Sequence, residues 1–159
     1  MRLGLLCVGR MKAGAERELF ARYAERIGAM RNLGLDGLDV REIEESRARN
    51  VETRMAGEGD ALLAGLSPDA VLAVFDERGK AASSADFAEF IRRERDAGRR
   101  ALWFAIGGAE GLDPRLRQKA RAIFSFGAMT LPHQLVRVLA AEQIYRAMTI
   151  ISGHPYHKA

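Results

Sequence analysis

The strongest constraint in this chain is a series of short, unbroken apolar runs, most of them followed by a stretch with helical spacing. Leu3 to Val8 reads LGLLCV, Ala70 to Phe75 reads AVLAVF, Ala101 to Ile106 reads ALWFAI, and Arg121 to Phe126 holds a fourth run. A strand with one wet face alternates apolar and polar residues. A run without alternation suits a strand covered on both faces, as in a parallel sheet. Parallel neighbours need crossover connections, which helices usually supply. From Ala15 onward Leu19, Tyr23 and Ile27 recur every four residues, with Phe20 and Ala24 beside them, while Glu16, Arg17, Glu18, Arg22, Glu25 and Arg26 take the wet side. That is the stripe of an amphipathic helix. Leu38 and Val40 alternate with Asp39 and Arg41, which predicts a half-buried strand near a sheet edge.

Turn and cap residues divide the rest. Asn32 to Gly37 is a loop, and the polar run Glu44 to Asn50 is expected to be a mobile one. Asn50 is placed to cap a helix holding Val51, Met55, Leu62 and Leu63; Gly57 and Gly59 weaken it by up to about 1 kcal/mol each relative to alanine. Ser67-Pro68-Asp69 is a turn, and Asp76-Glu77-Arg78-Gly79-Lys80 is expected as a loop at a strand end. Ser83 or Ser84 caps a helix with Phe87, Phe90 and Ile91 inside and Asp86 in the first turn, and Gly98 ends it. Asp113 and Pro114 open a short helix. A final helix runs from Leu131 or Pro132 to about Met148. The expectation is an α/β fold with a mostly parallel sheet flanked by helices on both faces, in one domain over residues 1–159.

Composition narrows the function classes. No apolar run approaches the roughly 20 residues that cross a bilayer, so no membrane partner is expected. Leu3 to Val8 is too short for a signal-peptide core before Arg10 and Lys12. The lone cysteine, Cys7, sits in an apolar run and reads as a small buried side chain, which fits a cytoplasmic protein. A net charge of +4 permits a nucleic-acid partner, although the basic residues are spread along the chain.

The chemistry-bearing residues gather in the last third. In open α/β sheets ligands sit outside the carboxyl ends of the strands, here after Phe75, Ile106 and Phe126. Gly107-Gly108-Ala109-Glu110-Gly111 lets a ligand approach the main chain, or is simply a tight turn. It lacks the dinucleotide fingerprint and the lysine of a phosphate-binding loop. Gly127 to Pro132 contains no charged residue, so it should cover an apolar ligand or a partner subunit. On the final helix Leu135, Val138, Leu139 and Tyr145 are expected to face the sheet, leaving Val136, Ala140, Ile144 and Ala147 on a second face. Two apolar faces suggest a homodimer. Glu142 and Arg146 have ion-pair spacing. The tail, with His154, Tyr156 and His157 around Pro155, suggests docking. No carboxylate or cysteine cluster accompanies its histidines, so no metal is expected.

Taken together, Ile106-Gly107-Gly108-Ala109-Glu110-Gly111-Leu112, Met129-Thr130-Leu131-Pro132-His133-Gln134-Leu135-Val136-Arg137-Val138-Leu139, Ala141-Glu142-Gln143-Ile144-Tyr145-Arg146-Ala147 and His154-Pro155-Tyr156-His157 resemble the ribosomal large-subunit RNA methyltransferase H family. The opening Val8-Gly9-Arg10-Met11-Lys12 fits it too. This is the minimal single-domain form of the SPOUT class, which methylates N3 of a pseudouridine in large-subunit ribosomal RNA. The resemblance implies a C-terminal trefoil knot and S-adenosylmethionine held by Phe75, Gly108, Gly127, Ala128, Met129, Thr130, Leu131 and Pro132. It implies a homodimer through the final helix, with the partner's tail completing the site, and a substrate RNA in the assembled ribosome. His133, Tyr156 and His157 are candidates to take the N3 proton, Arg137 to steady negative charge or a phosphate, and Glu142 to orient one of these groups. Lys158-Ala159 stands where an arginine is more usual after the histidine, which weakens the case for a phosphate contact there. The residues by themselves also admit a non-enzymatic RNA-binding module, or an adenine-nucleotide enzyme acting on a small molecule.

Overall fold

The computed structural model describes residues 1–30 and 33–156. Five strands and five helices alternate strictly: β1 (Arg2–Val8), α1 (Ala15–Ala29), β2 (Asp36–Ile43), α2 (Val51–Ala64), β3 (Val71–Ala81), α3 (Ser84–Asp96), β4 (Ala101–Ile106), α4 (Pro114–Lys119), β5 (Ala122–Ser125) and α5 (His133–Ser152). The strands form one sheet in the order β2-β1-β4-β3-β5. Every pairing is parallel, as the unbroken apolar runs predict.

Side chains of a strand alternate between faces, and two cores result. Leu3, Leu5, Cys7, Val71, Ala73, Phe75, Leu102, Phe104 and Ile106 pack with α1, α3 and α5. Leu6, Val8, Leu72, Val74, Ala101, Trp103 and Ala105 pack with Leu62 of α2, Leu116 of α4 and Leu112 of the loop before α4. Gly4 pairs with Trp103 across β1 and β4; a Cβ there would lie 2.2 Å from the indole, so the glycine makes room for the large ring. Cys7 is buried, and burial pushes its thiol up to about 12, so it behaves as an inert core side chain.

Capping follows the residues expected. Asn50 accepts the Thr53 N–H at 3.0 Å, and Ser83 forms a reciprocal box with Asp86. Asp113 accepts the Arg115 N–H at 2.7 Å, with Pro114 at the start of α4.

Four expectations need correction. Asp76 to Lys80 is not a terminal loop but part of β3. Phe124 pairs with Phe75 and again with Lys80, so residues 76–79 bulge out and the strand resumes beyond them. Gly79 allows this because a Cβ would lie 2.7 Å from the Phe124 backbone. The faces of α5 are exchanged in part: Val138 is buried as expected, but so are Ala140, Ile144 and Ala147, whereas Leu135 and Leu139 are 41% and 37% exposed. Small side chains let α5 approach the sheet layer closely, which larger ones would prevent. On α1, Leu19 points outward and Phe20, Tyr23 and Ile27 turn inward. Val40 on edge strand β2 is exposed as well.

Gly59 on α2 abuts the buried carboxylate of Asp113, 2.6 Å from where a Cβ would stand, whereas Gly57 has only Ser46 at 4.0 Å. Alanine gains up to about 1 kcal/mol of helix propensity at either site, but overpacking at Gly59 costs about 1–3 kcal/mol. Chemical denaturation should therefore show Gly57→Ala more stable and Gly59→Ala less stable than the parent. Equal gains at both positions would contradict this packing.

Candidate active site

Parallel strands deliver their carboxyl ends to one edge of the sheet, and a cavity lies there. It has a volume of about 360 Å³, within the usual size range of small-molecule sites. Three segments wall it: Phe75 to Arg78, Ile106 to Leu112, and Phe124 to Leu131. His133 and Val136 of α5 close one side.

The glycine loop after β4 is a tight turn. Gly111 donates its N–H to the Gly108 carbonyl at 3.1 Å, and a Cβ on Gly107 would lie 2.4 Å from the Gly111 carbonyl oxygen. Its glycines thus answer to the loop's own backbone, and the result is a cavity wall made of main chain. After β5, Ser125 folds the chain over. Its hydroxyl accepts the Gly127 N–H at 3.1 Å and donates to the Gly127 carbonyl at 2.9 Å. Gly127 takes φ +123°, a conformation that side chains rarely adopt. Phe126 then stacks on Phe75 with centroids 4.8 Å apart and planes at 11°.

The bulge in β3 is pinned from beneath. Asp76 accepts the Arg78 N–H at 2.9 Å and pairs with Arg117 of α4 at 2.9 Å. Arg117 also donates to the Leu112 carbonyl at 2.9 Å. One ion pair therefore joins the β3 bulge to the loop after β4.

Of the residues expected to hold a cofactor, Phe75, Gly108, Gly127, Met129, Thr130 and Leu131 line the cavity, whereas Ala128 and Pro132 do not. Among the described residues of the expected catalytic set, only His133 lines it. Arg137 is not available to a phosphate. It is 1% exposed, donates to the Val8 carbonyl and to the Gly9 carbonyl at 2.7 Å, and pairs with Glu42 of β2 at 2.9 Å. Glu42 in turn accepts the Met11 N–H at 2.8 Å. Arg137 thus clamps α5 to the carboxyl ends of β1 and β2.

Glu142 and Tyr156 form a separate group. Glu142 pairs with Arg146 at 2.6 Å, as their spacing suggests. Tyr156 lies 3.5 Å from Glu142, packs edge-on against Tyr145 at 4.7 Å and sits under the Arg146 guanidinium. Glu142 stands more than two helical turns past His133, on the order of 13 Å along the axis. His157 lies outside the described residues. Sequence reading missed Ser125, Arg117 and Val136 in the cavity wall. The Asp76-to-Arg78 contact has a local signature, since aspartate commonly accepts from the backbone two residues on; the others depend on distant packing.

Burial pushes the Tyr156 phenol up to about 12, with Tyr23 and Glu142 adding to the effect. At neutral pH it is a neutral donor rather than a base. Its folded value lies above the unfolded value of about 10, so its stabilising contribution is complete below pH 10 and is lost as pH rises through 12. Ultraviolet titration should show a late tyrosine ionisation, and Tyr156→Phe should remove it. For Arg137, truncation to methionine strips partners from buried carbonyls and leaves Glu42 unpaired, at a cost of about 2–4 kcal/mol. Denaturation of Arg137→Met would measure this; a loss below about 1 kcal/mol would contradict the clamp.

Known proteins agree with this architecture. The family described as predicted SPOUT methyltransferase matches residues 1–157. A protein of Xanthobacter autotrophicus named ribosomal RNA large subunit methyltransferase H is 57% identical over 160 residues, covering 100% of both chains. Its namesake from Beijerinckia indica subsp. indica is 54% identical over 160 residues, again covering 100% of both. The crystal structure of a probable methyltransferase from Bordetella pertussis Tohama I shares the fold at a TM-score of 0.55 and 15% identity, over 92% of this chain and 93% of that one. The chain therefore belongs to the SPOUT methyltransferase family.

Proposed function

We propose that this chain is an S-adenosylmethionine-dependent methyltransferase that modifies N3 of a pseudouridine in large-subunit ribosomal RNA, acting on the assembled ribosome in the cytoplasm. The observation that carries the reading is the main-chain-walled cavity at the sheet edge, with His133 in its wall. The names of the close relatives, which act on large-subunit ribosomal RNA, supply the substrate. The whole chain works as one domain over residues 1–159, and the C-terminal trefoil knot of the family belongs to the same reading.

The residues present fit the methyl donor. An apolar slot of Phe75, Ile106, Leu112 and Leu131 bordered by backbone suits an adenine ring. Among the described residues Asp76 pairs with Arg117 and Glu110 with Arg54, so Glu77 and Arg78 are the charged lining groups left for a ligand. That balance is near neutral, and a single arginine is less than a triphosphate calls for. S-adenosylmethionine supplies an electrophilic methyl group on a sulfonium. Phe75, Gly108, Gly127, Met129, Thr130 and Leu131 would hold it, and the enzyme contributes proximity and alignment. His133 accepts the N3 proton as the base is methylated.

The active form is a homodimer. A single chain separates His133 from Glu142 and Tyr156, and leaves Leu135, Leu139 and the 79% exposed Met129 uncovered. Pairing through α5 buries that face and brings the partner's Glu142, Tyr156 and His157 to the cavity. This sharing of groups favours the enzyme over a simple RNA-binding module.

Labelled methyl donor incubated with ribosomal large subunits lacking the modification should leave label on one pseudouridine. Leu139→Glu should sediment as a monomer that keeps donor affinity but loses at least about 100-fold in transfer, the scale of losing a proton-transfer group. His157→Ala should lower turnover with little change in donor affinity. A fully active Leu139→Glu monomer would refute the shared site.

A further inference from the structure

The carboxylate of Glu45 lies 4.0 Å from His133 Nε2. It stands on the segment after β2, where it also covers Gly9, 2.5 Å from where a Cβ would be. The contact repeats the clamp one helical turn away. His133 and Arg137 are four apart on α5 and share a face. Glu42 and Glu45 are three apart at the end of β2. Arg137 meets Glu42 at 2.9 Å as the buried rung; His133 meets Glu45 as the open rung, at the cavity wall.

The segment carrying Glu45 is anchored, although it forms neither helix nor strand. Ser46 donates its N–H to Glu58 at 2.9 Å, and Arg54 donates to the Ala48 carbonyl at 3.3 Å. Arg10 pairs with the neighbouring Glu44 at 3.6 Å, which leaves Glu45 facing the histidine. Across the cavity stand Glu77, Arg78, Glu110 and the Asp76–Arg117 pair. Arg137, the cation one turn along α5, is spent on Glu42.

We infer that Glu45 is a positioning residue for the methyl-transfer reaction: its carboxylate orients the His133 ring and offsets the positive charge the ring gains on accepting the N3 proton. This rests on the role proposed for His133. The separation is that of an ion pair rather than a hydrogen bond, so the effect is electrostatic and moderate. As N3 takes the methyl group its proton passes to the His133 imidazole, and the resulting imidazolium faces the Glu45 carboxylate.

A double-mutant cycle on the full-length protein, with large ribosomal subunits as substrate, separates the possibilities. Glu45→Gln should lower kcat about fivefold to tenfold while leaving KM for the subunit, calorimetric affinity for S-adenosylmethionine and Tm unchanged. Glu45→Asp, which keeps the charge, should recover most of the loss. In a His133→Ala background, Glu45→Gln should have no further effect. An equal loss in both backgrounds, or a rise in KM with kcat unchanged, would overturn the inference and make Glu45 an RNA contact. Full turnover in His133→Ala alone would refute the role of His133 itself. A loss in His133→Ala with none in Glu45→Gln would refute only the present inference.

Discussion

The site depends on one buried guanidinium. Arg137 is almost fully enclosed, and taking an ion out of water costs several kcal/mol unless partners replace the solvent. Here the partners are the carbonyls of Val8 and Gly9 and the carboxylate of Glu42. Carbonyls at the end of a strand lack further strand partners of their own, so the two terminal nitrogens of the arginine and the sheet edge satisfy each other, while its buried Nε has no partner among the described residues. The consequence is positional. Helix α5 cannot slide or rotate without breaking three bonds at once, and the first turn of that helix carries His133 into the cavity wall. An arginine that the sequence suggested for substrate contact instead holds the frame on which such contact depends.

The sheet was legible because burial on both faces leaves an unmistakable trace. LGLLCV, AVLAVF and ALWFAI each became a strand with parallel neighbours, and the crossover helices started at Asn50, Ser83 and Asp113, whose side chains accept the orphan N–H groups. The continuation of β3 was not legible. Asp76 to Lys80 is polar because it bulges toward solvent, and only Gly79 pressed against Phe124 shows that the ladder resumes. The orientation of α5 was hidden for a different reason. It is apolar all round, so periodicity cannot choose a face, and the choice falls to volume: alanines go where backbones approach and leucines where there is space.

The candidate site was legible in part for the same physical reasons. Glycine-bearing loops at strand ends mark places where main chain forms a wall, and Phe75, Gly108, Gly127, Met129, Thr130 and Leu131 do form one. The roles of charged side chains were less legible because each depends on a partner far away in the chain. Arg137 with Glu42, Arg117 with Asp76 and His133 with Glu45 are all pairings of different elements. The group around Glu142, Arg146, Tyr145 and Tyr156 assembles more than two turns further along α5 than His133.

The central claim is that the cavity at the sheet edge receives the methyl donor. Calorimetric titration of the purified protein with S-adenosylmethionine, alongside ATP, tests it most directly. The account predicts saturable binding of S-adenosylmethionine at one site per chain, with none of ATP, because the lining is mostly apolar side chains and backbone, and Arg78 is its one cation not held by a carboxylate among the described residues. Binding of ATP, or of neither compound in the presence or absence of ribosomes, would contradict it.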